Sequence, residues 1–218
     1  MSPFDKFLST MMKPWMIVTV LGLITLSYIY LDQPIAYFFY GLDLRDASAF
    51  WNFVTDLGLG AAYFVSLFLL GLFFRFIYRS SYWESRAWFL WLCVVIPSIF
   101  CFVLKVLFGR ARPGLLFDEQ LYGFYGLQTH APFWSFPSGH TTTIMGFVFG
   151  LSILYPRFCY RLIILGSCIA LSRVLLVHHY FSDVLSASYF ALIEVGLLMA
   201  CLRRCQWLNS TCLSGKCL

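Results

Sequence analysis

Charge is what this sequence has least of. Only 11% of its 218 residues are Asp, Glu, Lys or Arg, against 61% hydrophobic and 20% aromatic. Roughly a quarter of a soluble globular domain is charged, so composition excludes that class and points to a polytopic membrane protein. The apolar runs contain no H-E-x-x-H and no group of two or three acids at helical spacing. Zinc or magnesium hydrolysis would need such ligands, so no metal and no cofactor is expected. The eight cysteines lack paired C-x-x-C spacing. Cys93, Cys101, Cys168 and Cys201 fall in apolar runs, and Cys159, Cys205, Cys212 and Cys217 beside basic segments, so neither disulfides nor a zinc site is expected. The formal charge of +5 would suit nucleic acid if the cations shared a soluble face. They punctuate hydrophobic runs instead, so nucleic acid is not an expected partner, and no obligate protein partner is evident.

What is there is apolar sequence in six stretches: Trp15 to Leu31, Gly58 to Phe74, Ala87 to Leu104, Thr141 to Tyr155, Leu162 to Val177 and Val184 to Leu202. With its flanks each approaches the roughly 20 residues needed to cross a hydrocarbon core. The first lacks a small-residue cleavage site, so it reads as a retained helix. The predicted fold is all-α, a six-transmembrane-helix bundle forming one membrane-embedded domain over residues 1–218. Ten Lys and Arg residues fall on the side of the termini, while the first opposite loop is acidic, with Asp32, Asp43, Asp46 and Asp56. By the positive-inside rule both termini are cytoplasmic. Between helices 3 and 4 the stretch from Gly114 to Phe136 is dense in aromatics, which predicts an interfacial loop serving as anchor or entry rim.

Chemistry concentrates in three segments: Lys105 to Pro113 (KVLFGRARP), Pro137 to His140 (PSGH) and Ser172 to Asp183 (SRVLLVHHYFSD). In an up-and-down bundle the first closes span three, the second opens span four, and the third joins spans five and six. All three therefore meet at one membrane face, the extracytoplasmic one by the charge count. Arg173 lies inside an apolar run, and Lys105 follows one directly with the apolar Val106 to Phe108 beyond it; an ionisable group so placed is a functional candidate by default.

Lys105, Gly109 and Arg112 recur at four and three residues, as along one side of a helix. With Arg173 they can surround a phosphoryl group, the Arg side chains as planar forks and Lys as a point charge. Ser138 is placed to cap a helix N-terminus and Gly139 admits close backbone approach, which makes an anion site facing His140. His179 and Asp183 are spaced i, i+4, so the carboxylate can hold one imidazole nitrogen and leave the other to attack. His140 as imidazolium could then protonate the leaving oxygen. His178 points elsewhere on a helix, His130 reads as interfacial, and Glu194 as paired with a polar neighbour or facing a cavity.

These segments resemble the type 2 phosphatidic acid phosphatases (PAP2), whose signature is K-x6-RP, PSGH and SR-x5-H-x3-D. Here the pattern is Lys105, Arg112 and Pro113; Pro137 to His140; and Ser172, Arg173, His179 and Asp183, at matching intervals. The resemblance implies a metal-independent membrane phosphatase with His179 as nucleophile, Asp183 as its orienting partner and His140 as general acid. It implies phosphate binding by Lys105, Arg112, Ser138, Gly139 and Arg173.

The expected function is hydrolysis of a terminal phosphate or pyrophosphate from a lipid: undecaprenyl pyrophosphate, phosphatidylglycerophosphate, phosphatidic acid or lipid A. Outward-facing recycling of the undecaprenyl carrier suits the topology by family analogy. The expected location is a bacterial inner membrane, with the site facing the periplasm or exterior and membrane lipids as surroundings. Phosphotransfer from the same phosphohistidine to a lipid or sugar alcohol is an alternative. An anion transporter is a remote one, because polarity collects at one face rather than along several spans.

Overall fold

The computed structural model describes residues 1–44 and 48–205. Arg45, Asp46, Cys212, Lys216 and Cys217, which entered the charge and thiol readings, lie outside the described residues. Helix α1 (Pro3–Met11) opens on a capping box between Ser2 and Asp5 and docks Phe4 against Phe149, with ring centroids 5.9 Å apart. Helix α2 (Pro14–Leu26), a π turn (Ser27–Leu31) and α3 (Asp32–Gly41) follow as one 28-residue run. Sequence reading ended this span at Leu31 and put Asp32 in a loop. The helix instead continues: the Asp32 amide reaches back five residues to Ser27, and Pro34, having no N–H, needs no acceptor one turn earlier.

Helices α4 (Ala49–Asp56) and α5 (Gly60–Phe76) meet at a 44° bend. Helix α6 (Ser81–Phe108) is ended by Gly109 at φ +53°, where a Cβ would strike the carbonyl of Gly126. The short α7 (Pro113–Glu119) leads through a loop to α8 (Gly139–Leu154), α9 (Cys159–Leu175) and α10 (Phe181–Arg204). Among the described residues, strand-type pairing is confined to one isolated bridge between Arg110 and Phe124.

Among the described residues, four helical stretches can cross a membrane by length and composition: Pro14–Gly41, Ser81–Phe108, Pro156–Leu175 and Phe181–Arg204. The bent pair α4–α5 makes a fifth. The remaining predicted span, α8, has only 16 residues, about 24 Å of helix against a core of about 30 Å. It packs against α6, α9 and α10 and is buried along most of its length, so it needs neighbours more than lipid.

Its crossing with α6 is close for a local reason. Pro97 removes the N–H that would bond the Cys93 carbonyl, and Gly146 sits against that carbonyl so tightly that no Cβ could fit. Gly150, one turn on, would bring a Cβ to 3.1 Å from Cys93 Sγ. Small residues four apart let helix backbones approach where lipid supplies no hydrophobic drive. Around this core, Val18, Ile29, Phe53, Ile77, Ile99 and Leu197 are exposed, an apolar belt of the kind a bilayer would cover.

Candidate active site

All three motif segments meet at one end of the bundle. Lys105, in the last turn of α6, donates from Nζ to the carbonyl of Trp134 at 2.7 Å. Arg112 does not continue that helix face as its spacing suggested. Gly109 ends the helix, and Arg112 stands in extended backbone before Pro113, its amide bonded to the Pro132 carbonyl at 2.9 Å. Arg112 Nε has no acceptor among the described residues, and burial lowers its otherwise high pKa.

Ser138 occupies the N-cap position of α8, but its side chain makes no cap. Its Oγ instead accepts from the Thr141 hydroxyl at 3.1 Å. Gly139 lies beside Lys105: a Cβ there would come 3.6 Å from Lys105 Cε. Gly58, at the α4–α5 bend, backs onto His140, where a Cβ would sit 3.3 Å from the His140 Cβ.

Arg173, in the last turn of α9, donates from Nη1 to Thr55 Oγ1 of α4 at 2.8 Å. His179 lies in the turn before α10, its amide 3.2 Å from the Arg173 carbonyl and its side chain almost wholly buried. The pair with Asp183 forms, though not along one helix as the i, i+4 argument assumed. Asp183 is the third residue of α10 and accepts from the Tyr180 amide at 3.0 Å, a capping contact. Its Oδ2 is 3.7 Å from His179 Nδ1. Burial lowers the His179 pKa well below that of a free imidazole, and the charges of Lys105, Arg173 and Arg112 and the nearby His140 lower it further. Neutral imidazole, the nucleophilic form, is therefore the form present near neutral pH.

Four residues of this site escaped the sequence reading. Besides Thr55, Ser135 donates to Asp183 Oδ2 at 2.6 Å. Arg110, a cation of the first motif segment to which its spacing gave no role, is completely buried and reaches Asp183 at 2.5 Å and Asp32 at 2.7 Å. Asp32 is buried rather than in an acidic loop. Of the other singled-out residues, His130 is exposed, His178 donates its amide to the Arg173 carbonyl, and both Glu194 oxygens are buried without a partner among the described residues.

An apolar cavity of about 770 Å³ runs from this end of the bundle between α5 and α6. Phe64, Val65, Phe68 and Phe102 line its walls, and Lys105, Gly139 and His140 close its polar end. Trp134 of the aromatic loop packs edge-on against Phe102 at 5.6 Å. Among the described residues no three His, Cys, Asp or Glu side chains converge as metal ligands.

Residues 86–207 match the family model of the PAP2 superfamily. The chain is 35% identical over 102 residues to a lipid A 1-phosphatase of Rhizobium etli, covering 47% of this chain and 44% of that protein. It is 32% identical over 117 residues to a lipid A 1-phosphatase of Rhizobium johnstonii, covering 52% and 48%. The chain thus spans about half the length of the curated relatives it matches. No solved structure matches. With more than half of its residues, all three motif segments among them, inside the matched region, the chain belongs to the PAP2 superfamily.

Proposed function

We propose that this chain is an integral membrane phosphatase that removes a terminal phosphate from a lipid through a phosphohistidine, without a metal. The observation that carries the reading is the juxtaposition of an apolar cavity between two helices with a cationic end holding Lys105 and His140. An amphiphile fits such a site with its chain among Phe64, Val65 and Phe68 and its phosphate among Lys105, Arg112, Arg173 and the N-terminus of α8.

In the proposed reaction His179 Nε2 bonds to phosphorus while the phosphorus–oxygen bond to the lipid breaks. His140 gives the leaving oxygen its proton. Water, deprotonated by His140, then attacks the phosphohistidine and releases inorganic phosphate. The cations stabilise charge on the phosphoryl oxygens, where phosphoryl transfer needs help most. Ser138 contributes through its position at the start of α8.

Among the four expected headgroups, the names of the two relatives favour a lipid A-type sugar phosphate over undecaprenyl pyrophosphate. We place the protein in a bacterial inner membrane with six spans, α8 as the fourth, both termini cytoplasmic, the site outward and the aromatic loop at the interface. The test is phosphate release from the four lipids by purified protein in detergent with EDTA, comparing wild type with His179→Ala. Release that persists in the chelator and vanishes in the variant is expected. Release stopped by EDTA would overturn the metal-free mechanism, and release by His179→Ala would overturn the assignment of the nucleophile.

A further inference from the structure

Arg110 and Asp32 have no role in the reaction as proposed, and Asp32 lies outside the matched segment. Yet Arg110 heads the fully buried side chains by size among the described residues. Its Nη2 bonds Asp32 Oδ2 at 2.7 Å and its Nη1 bonds Asp183 Oδ1 at 2.5 Å, and none of the three side chains is exposed to solvent. The Ser182 hydroxyl accepts from Arg110 at 2.7 Å and donates to Asp32. Asp32 also takes the Ser182 amide and the Ser27 hydroxyl, each at 2.9 Å. The rings of Tyr28, Tyr122, Phe124 and Tyr180 surround the guanidinium, with centroids 4.5 to 5.6 Å from its carbon.

Burying three charges is an inefficient way to stabilise a fold, because desolvation offsets most of the attraction. The first span also adopts a π turn, Ser27–Leu31, immediately before Asp32. Such turns recur at functional sites. One carboxylate would suffice to neutralise Arg110. Two leave the assembly with a net negative charge, on the Nδ1 side of His179.

We infer that Asp32 is a positioning residue for the phosphohistidine step. It occupies half of the Arg110 guanidinium, so Arg110 fixes the direction of Asp183 without cancelling its charge. The inference rests on His179 as nucleophile. When Nε2 bonds to phosphorus and the lipid oxygen departs with a proton from His140, the imidazole ring becomes cationic, and its Nδ1 side faces Asp183 and Ser135. The extra negative charge acts at that moment rather than in binding, since the hydrogen bonds of Asp32 run to Arg110, Ser182 and Ser27.

The experiment uses the purified full-length protein with phosphatidic acid and lipid A in detergent micelles, and orthovanadate as a phosphate-site probe. Wild type and His179→Ala are run first: phosphate release by the former alone establishes the nucleophile on which the inference depends. Failure there would defeat both readings, and success there isolates Asp32. Asp32→Asn is expected to lower kcat by about 10- to 100-fold. Its KM and vanadate affinity should stay within about twofold of wild type, with part of the loss recovered in Asp32→Glu. A wild-type kcat in Asp32→Asn would overturn the inference, as would a loss confined to KM and vanadate affinity. Should Asp32→Asn not fold, Ser182→Ala removes the hydroxyl shared by Asp32 and Arg110 while keeping both charges. A lowered kcat at unchanged KM supports the inference there, and an unchanged kcat overturns it.

Discussion

The Nδ1 of His179 lies 3.7 Å from Asp183 Oδ2, too far for a direct hydrogen bond, and Ser135 Oγ fills the difference. It stands 2.6 Å from the carboxylate and 3.5 Å from the ring. The carboxylate thus holds the imidazole partly through a hydroxyl contributed by the loop before the PSGH segment. Ser135→Ala is expected to lower kcat by about tenfold, within the range for losing an orienting contact, while KM for the lipid stays put. Steady-state kinetics on phosphatidic acid check this, and an unchanged kcat would mean that the ring is held without the hydroxyl.

A second expectation concerns pH. Burial first, and then the surrounding cations, lower the pKa of His179, so activity controlled by its protonation is kept well below pH 6.5 and lost only at still lower pH. Arg112→Gln removes one of those cations. The charged imidazole is then less disfavoured and its pKa rises, so the acid limb of kcat should move to higher pH. A pH–rate profile of the residual activity that keeps its acid limb in place would remove His179 as the group titrating there.

Gly58 is the third test. A methyl group there would meet the His140 Cβ at 3.3 Å, tight enough that His140 must shift slightly to admit it. Gly58→Ala should reduce kcat by about tenfold through displacement of the proposed acid. A leaving group that needs no proton, as in p-nitrophenyl phosphate, should still be released in the first turnover at close to the wild-type rate, because only the later water step then uses His140. A first-turnover release slowed equally on both substrates would show that the bend at Gly58 matters for something other than His140.

The cavity makes a prediction of its own. Val65 lines it and is exposed there, so Val65→Trp should fill part of the space. KM for a two-chain lipid phosphate should rise by about tenfold, the scale of a lost apolar contact of a few methylenes. Turnover of a short, water-soluble phosphate ester should not change. If both substrates respond alike, the chain does not lie between α5 and α6.

How much of this was legible in the sequence depended on distance along the chain. Lys105, Arg112, Ser138, Gly139, His140, Arg173, His179 and Asp183 could be read from short spacings, though three of the geometric reasons were wrong. Arg112 follows a helix end rather than a helix face, Ser138 sits at a cap position without capping, and His179 precedes the helix that carries Asp183. The contacts of Thr55, Arg110 and Asp32 cross more than 70 residues of chain, and no local pattern encodes such a meeting. One signal was present all the same. Asp32 is a carboxylate inside a helical run otherwise free of charge, and an acid at that depth is a functional candidate by itself. The uncharged run stops at Leu31, which by hydropathy alone puts Asp32 at the start of a loop. The surroundings of α8 were hidden for a related reason: hydropathy records that this helix is apolar, but not that neighbouring helices bury most of its length.

Where Gly146 meets the Cys93 carbonyl, no side chain separates α6 from α8. Helices in backbone contact can neither slide nor roll without opening a gap, and packed interiors resist this strongly. Lys105 and His140, carried by these two helices, therefore keep a fixed spacing whichever of the proposed lipids arrives. Any adjustment to a larger headgroup or a thicker chain falls to the opposite wall, α5, which joins α4 through a bend. On the function proposed here, selectivity among lipid phosphates falls to the segment from Ala49 to Phe76 rather than to the motifs that define the superfamily.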